Sequence, residues 1–128
     1  MSTLENGQRR SNTLIKGTEG HRIWNDLNVL DGEPVIEKTR FSALVQGSST
    51  LDAYLQEHGV DTLIITGCLT DVCCESTARD AMMLNYRAIM VTDAADTDAD
   101  HNAALTASYS TFGDIMPTDM LIGLLTGR

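Results

Sequence analysis

Residues 62–80 read TLIITGCLTDVCCESTARD, and this stretch decides the fold. Leu63-Ile64-Ile65 is a short apolar run rich in β-branched residues, the composition of a strand buried on both faces. Gly67 interrupts it. Thr70 and Asp71 are good helix N-caps, and from Val72 onward the residues change to a helical period running to about Leu84. Strand, tight turn and helix form the unit that presents a reactive group at the carboxyl end of a parallel strand.

Helical geometry separates the two adjacent cysteines. At about 100° per residue, Cys74, Ala78, Ala81 and Met82 share one apolar stripe, so Cys74 reads as a small buried hydrophobe. Cys73 is turned away from that stripe. It stands in the first turn, where free N–H groups and the positive end of the helix dipole favour a thiolate. Local physics alone leaves Cys73 open between a structural and a catalytic cysteine.

Outward from this segment, the elements alternate. Downstream, Asn85-Tyr86 closes the helix, and Arg87 to Thr92 (RAIMVT) reads as another buried strand. Asp93 to Asp100 is an acidic loop. It lacks the glycine and terminal glutamate of a calcium loop and reads as a solvated loop and helix cap. His101 to Phe112 is expected to be a helix with Ala104, Leu105, Ser108 and Tyr109 inward. Ile115-Met116 makes a short last strand, and Thr118 caps a final helix from Met120 to Leu125.

Upstream, Ser49 or Thr50 caps a helix through Leu51, Tyr54 and Leu55, which Gly59 stops. Pro34 to Lys38 reads as a strand with Val35-Ile36 buried and Lys38 at its end. Asp31-Gly32-Glu33-Pro34 is a turn. A short amphipathic helix is expected near Glu19 to Leu27, with Ile23, Trp24 and Leu27 on one side. Trp24 suits packing or a substrate-facing indole. Met1 to Lys16 is polar with little periodicity and reads as an irregular arm, in which Arg9-Arg10 is a solvated surface pair.

The 128 residues are enough for one domain with a modest core. The formal charge of −9 and the lack of a basic cluster longer than Arg9-Arg10 argue against a nucleic-acid partner. No apolar run approaches the length of a membrane span, and the polar first residues lack a signal-peptide core. Three cysteines in the spacing C-x-x-x-x-C-C fit neither a disulfide framework nor a zinc site, which suggests reduced thiols in the cytoplasm. His21, His58 and His101 show no ligand spacing on a shared helix. No metal or cofactor is expected.

The segment Gly67 to Ala81, G-x-x-T-D-V-C-x-E-S-T-A-R-D-A, resembles the nucleophile signature of the isochorismatase-like cysteine hydrolases. That family includes nicotinamidase, N-carbamoylsarcosine amidase and ureidoacrylate or biuret amidohydrolases. Further matches lie in register at Glu37-Lys38-Thr39-Arg40-Phe41-Ser42-Ala43, at Asn85-Tyr86-Arg87 and at Val91-Thr92-Asp93-Ala94. The similarity runs from about Gly17 to the end. It implies one domain over 1–128, a three-layer α-β-α fold with a mostly parallel sheet, and commonly a homo-oligomer.

The resemblance also implies chemistry. Cys73 would be the nucleophile toward a small amide or ureido carbonyl, and Lys38 the catalytic lysine. Backbone N–H groups of Leu69 and Cys73 would form the oxyanion hole, with a cis peptide at Cys68–Leu69. A cysteine in this place implies C–N bond cleavage rather than the vinyl-ether cleavage of isochorismatase proper.

The family's first strand ends in a D-x-Q segment whose aspartate is the general base, and nothing before Lys38 matches it. Asp26 falls in the expected amphipathic helix and Asp31 in a turn. The chain is therefore expected to begin some way into the family fold, without its first two strands. Three explanations follow: a fragment of an ordinary amidase, a short chain completed by a partner, or an impaired remnant that binds ligand or another protein.

Overall fold

The computed structural model describes residues 14–97 and 99–128. Arg9-Arg10 and most of the expected N-terminal arm lie outside the described residues. The chain divides into two compact units, Met1–Pro34 and Val35–Arg128.

In the first unit, the expected helix over Glu19 to Leu27 is not formed. A single 3₁₀ turn spans Glu19–His21, followed by turns. Ile23, Trp24 and Leu27 are 46%, 71% and 63% exposed, so the apolar stripe buries too little surface to offset the cost of ordering a helix.

The second unit is α/β, with a parallel sheet in the order β1-β2-β3. Its elements are α1 (Leu51–Glu57), β1 (Thr62–Cys68), α2 (Glu75–Met83), β2 (Arg87–Asp96), α3 (His101–Ala107), β3 (Asp114–Met116) and α4 (Thr118–Thr126). A π turn at Thr70–Cys74 leads into α2, and another at Ser108–Phe112 follows α3.

The two-residue period of β2 organises the packing. Ala88 and Met90 join Ile65 of β1 with Leu55, Cys74, Ala78, Ala81 and Leu105 in one apolar cluster. Ile89 and Val91 turn to the opposite side, where Met116 and Leu121 complete a smaller one. Helices α1, α2 and α3 therefore cover one face, and α4 the other. At Gly113 a Cβ would lie 2.2 Å from the Ala88 carbonyl oxygen, so only glycine fits where the backbone enters β3.

Several expectations are corrected here. Pro34 to Lys38 forms no strand, and Val35 is 65% exposed. Its β-branched composition is not sufficient, because a strand needs a neighbour to accept its backbone bonds. β1 is not buried on both faces: Ile65 is buried, but Ile64 is 44% exposed at the edge of the sheet as described. β2 continues through Asp93 to Asp96, where an acidic loop was expected, because Gly67 and Cys68 pair with Ala95 and Asp96. The register shift between Ile65 and Gly67 that permits this coincides with Gly67 at φ +110°, a conformation open to glycine.

Thr70 and Asp71 do not cap the turn that leads into α2, since Leu69 holds the capping position and no side chain serves it. Pro117 rather than Thr118 precedes α4; Thr118 instead donates its N–H and hydroxyl to Asp93 Oδ1, both at 2.8 Å. Tyr109 is 65% exposed, in the π turn after α3 that departs from a uniform 100° step, and Met82 of α2 is 36% exposed. Ser49 Oγ does accept the Leu51 N–H at 3.0 Å, and Asp100 caps α3 by accepting from Ala103 N.

Candidate active site

β1 from Leu63 to Cys68, with the turn beyond it, walls an open cleft of about 460 Å³. Lys38, Leu51, Cys68, Cys73 and Thr77 are among its lining residues. Cys73 sits in the π turn, partly exposed. Lys38 Nζ stands 3.7 Å from Cys73 Sγ and donates to the carbonyls of Arg40 and Phe41 at 2.9 and 3.0 Å. Two carbonyls and one sulfur match the donor capacity of an ammonium, so the charge is aimed rather than loosely tethered. A cation at this distance attracts negative charge on the sulfur.

Lys38 belongs to a segment without regular structure, held by hydroxyls. Ser42 Oγ accepts the N–H groups of Leu44 and Val45, Ser48 Oγ donates to Ser42 O at 2.6 Å, and Ser49 Oγ donates to Ala43 O at 2.7 Å. Ser42 and Ser48 are buried. Thr77 ties this segment to the cysteine: its Oγ1 donates to Cys73 O at 2.7 Å and accepts the Ala43 N–H at 3.2 Å. Sequence reasoning missed Thr77. The first bond was visible as a threonine four residues after the cysteine in a helix; the second depends on tertiary placement.

The turn is anchored from beneath. Thr70, fully buried, bonds His101 Nδ1 at 3.0 Å, and His101 Nε2 lies 3.0 Å from Thr92 O. A carbonyl only accepts, so Nε2 carries the proton; in the neutral ring Nδ1 accepts from the Thr70 hydroxyl. His101 thus connects the π turn to β2.

The other cysteines differ. Cys74 is 4% exposed, with Sγ 3.6 Å from Thr66 O. Burial pushes its thiol up to about 11, and the neighbouring Cys73 and Cys68 add to the rise against the pull of Lys38. Cys68 is exposed at the end of β1, and the Cys68–Leu69 peptide bond is cis. Leu69 begins the reversal that carries the chain into the π turn.

Among the described residues lining the cleft there is no aspartate or glutamate. Asp26 Oδ2 accepts the Trp24 indole N–H at 3.1 Å within its own unit. No group of three or more His, Cys, Asp or Glu among the described residues could hold a metal ion. No helix among them is long and apolar enough to cross a membrane.

Known proteins share this sequence pattern and fold. The model of the isochorismatase domain matches residues 2–120. Ureidoacrylate amidohydrolase RutB of Variovorax paradoxus is 41% identical over 81 residues, covering 63% of this chain and 31% of that protein. An isochorismatase-like hydrolase from Alkaliphilus metalliredigens superposes with a TM-score of 0.80 at 33% identity, covering 87% of this chain and 62% of its own. N-carbamoylsarcosine amidase from Thermoplasma acidophilum gives a TM-score of 0.79 at 27% identity, with 88% and 64% covered. The chain spans 31% and 50% of the length of two curated relatives, RutB and the Bacillus subtilis protein YwoC. A domain match over nearly the whole sequence, on a parallel sheet that ends at a cysteine-bearing turn, establishes that the chain belongs to the isochorismatase family.

Proposed function

We propose that this chain carries the nucleophile and the lysine of a cysteine hydrolase that cleaves a C–N bond in a small amide or ureido compound. The observation that carries this is the 3.7 Å approach of Lys38 Nζ to Cys73 Sγ in the cleft that runs along β1. Similarity to a ureidoacrylate amidohydrolase and to an N-carbamoylsarcosine amidase points to the substrate class.

In this mechanism the Cys73 sulfur attacks the carbonyl carbon, and negative charge develops on the carbonyl oxygen. The N–H groups of Leu69 and Cys73 stabilise that oxygen, while Lys38 offsets charge on the sulfur and the tetrahedral adduct. Collapse expels ammonia or an amine and leaves an acyl-sulfur ester. Water hydrolyses the ester, returning the thiol. Thr77 keeps the lysine segment in register with the nucleophile through its paired bonds to Cys73 and Ala43.

A second reading, a ligand-binding or interaction module with impaired turnover, is favoured by one observation. No carboxylate among the described residues lines the cleft to move the proton. Ammonia release from ureidoacrylate, carbamoylsarcosine, biuret and nicotinamide separates the two. Release that disappears in Cys73→Ala supports the hydrolase. Saturable substrate binding without release, in a folded sample, supports the module. Cytoplasmic residence and a homo-oligomer belong to the same proposal; sedimentation of the purified chain tests the latter.

A further inference from the structure

The cleft holds more sulfur than hydrolysis uses. Cys68, Cys73 and Cys74 all line it, as free thiols of different exposure. Charge on Cys73 and on Cys68 both acts on the Cys74 thiol, beside the cleft that all three line. Peroxide attacks a sulfur that is both anionic and accessible. Cys73 opens on the cleft with the Lys38 ammonium 3.7 Å away. A sulfenic acid formed there needs a nearby thiol to capture it before further oxidation.

Cys74 is unsuited to that task. It is buried against Thr66 O, and burial keeps its thiol protonated near neutral pH, which makes it a poor attacking group. Cys68 is exposed, sits at the end of β1, and faces the same cleft; Leu69 to Val72 reverse the chain between it and Cys73.

We propose that Cys68 is the resolving thiol for Cys73, so that hydrogen peroxide converts the site reversibly into a Cys68–Cys73 disulfide. This rests on the reading of Cys73 as the reactive thiolate. In the first step the Cys73 thiolate attacks one peroxide oxygen, the O–O bond breaks and hydroxide leaves. Sulfur is oxidised by two electrons and the peroxide is reduced. In the second step the Cys68 sulfur attacks the Cys73 sulfenic sulfur, an S–S bond forms and the S–O bond breaks. The departing oxygen takes the Cys68 proton and leaves as water. A dithiol restores both thiols by exchange.

The test treats the reduced chain with hydrogen peroxide, blocks remaining thiols with N-ethylmaleimide and digests before aspartate. Cleavage before Asp71 separates Cys68 from the Cys73-Cys74 pair. The expected result is that the two fragments stay linked until dithiothreitol is added, in the wild type and equally in Cys74→Ala. In Cys68→Ser no link forms, and Cys73 sulfinic acid rises roughly fivefold at a peroxide dose from which the wild type recovers. A link that disappears in Cys74→Ala, or equal sulfinic acid in wild type and Cys68→Ser, overturns the proposal. The alkylation rate of Cys73 before any peroxide separates the two ideas. Slow alkylation removes the nucleophile reading and the disulfide with it; fast alkylation without a Cys68 link removes the disulfide alone.

Discussion

Two segments meet at the cleft, and they are held by different forces. From Thr62 to Met83 the chain is fixed by a parallel backbone ladder and by burial of Ile65, Cys74, Ala78 and Ala81. From Lys38 to Ser49 there is no ladder; hydroxyls of Ser42, Ser48 and Ser49 bind the backbone. The ladder and the apolar cluster position the sulfur, whereas the ammonium relies mainly on side-chain hydrogen bonds, with Leu44 its segment's one anchor among the cluster's buried residues. Substitutions at the buried positions of the first segment should therefore act on folding, and those at the hydroxyls of the second on the geometry of one cation.

The largest effects test the meeting point itself. In the proposed hydrolase, Cys73→Ala should reduce ammonia release to background, a loss on the order of 10⁴-fold or more. Lys38→Met should lower the rate by about 10²- to 10³-fold with the thermal transition almost unchanged, since the side chain is exposed. A Lys38→Met protein that keeps full rate would sever the two segments functionally.

Next comes the contrast between core and staple. Met90→Ala, at a fully buried position, should cost about 2–5 kcal/mol in denaturant unfolding. Ser48→Ala should cost less, about 1–2 kcal/mol, because it leaves the buried Ser42 carbonyl without this donor. Its distinctive mark is a fall in kcat exceeding that of Met90→Ala. Equal kinetic effects from both variants would mean that the lysine segment has no separate role.

Much of the first segment was legible in the sequence. A β-branched run, a glycine and a change to helical period describe β1, its turn and α2 in local terms. The lysine segment is recognisable by resemblance rather than by pattern, and the strand that its composition suggests does not form. Val35-Ile36 has the composition of a strand, but strand pairing is a non-local property. The same limit explains β2, whose acidic end at Asp93 to Asp96 is drawn into the ladder by Gly67 and Cys68 across the sheet. The π turns, the Thr77 bridge and the His101 anchor likewise depend on partners far along the chain. No spacing rule reports them.

The smallest expected effect concerns pH. Burial raises the Cys74 thiol from 9.0 to about 11, so the folded state favours the protonated form. This contribution to stability is complete below the ordinary value and is lost as pH rises from 9.0 to about 11. Cys74→Ala should decline less steeply than wild type across that alkaline range in urea melts. Parallel curves would place the thiol outside the apolar cluster.

The most direct test of the account is the site-resolved rate of iodoacetamide alkylation at neutral pH, in the wild type and in Lys38→Met. The expected result is that Cys73 reacts first, ahead of the exposed Cys68 and the buried Cys74, and slows clearly when the ammonium is removed. Alkylation of Cys68 ahead of Cys73, or a Cys73 rate indifferent to Lys38, would contradict it.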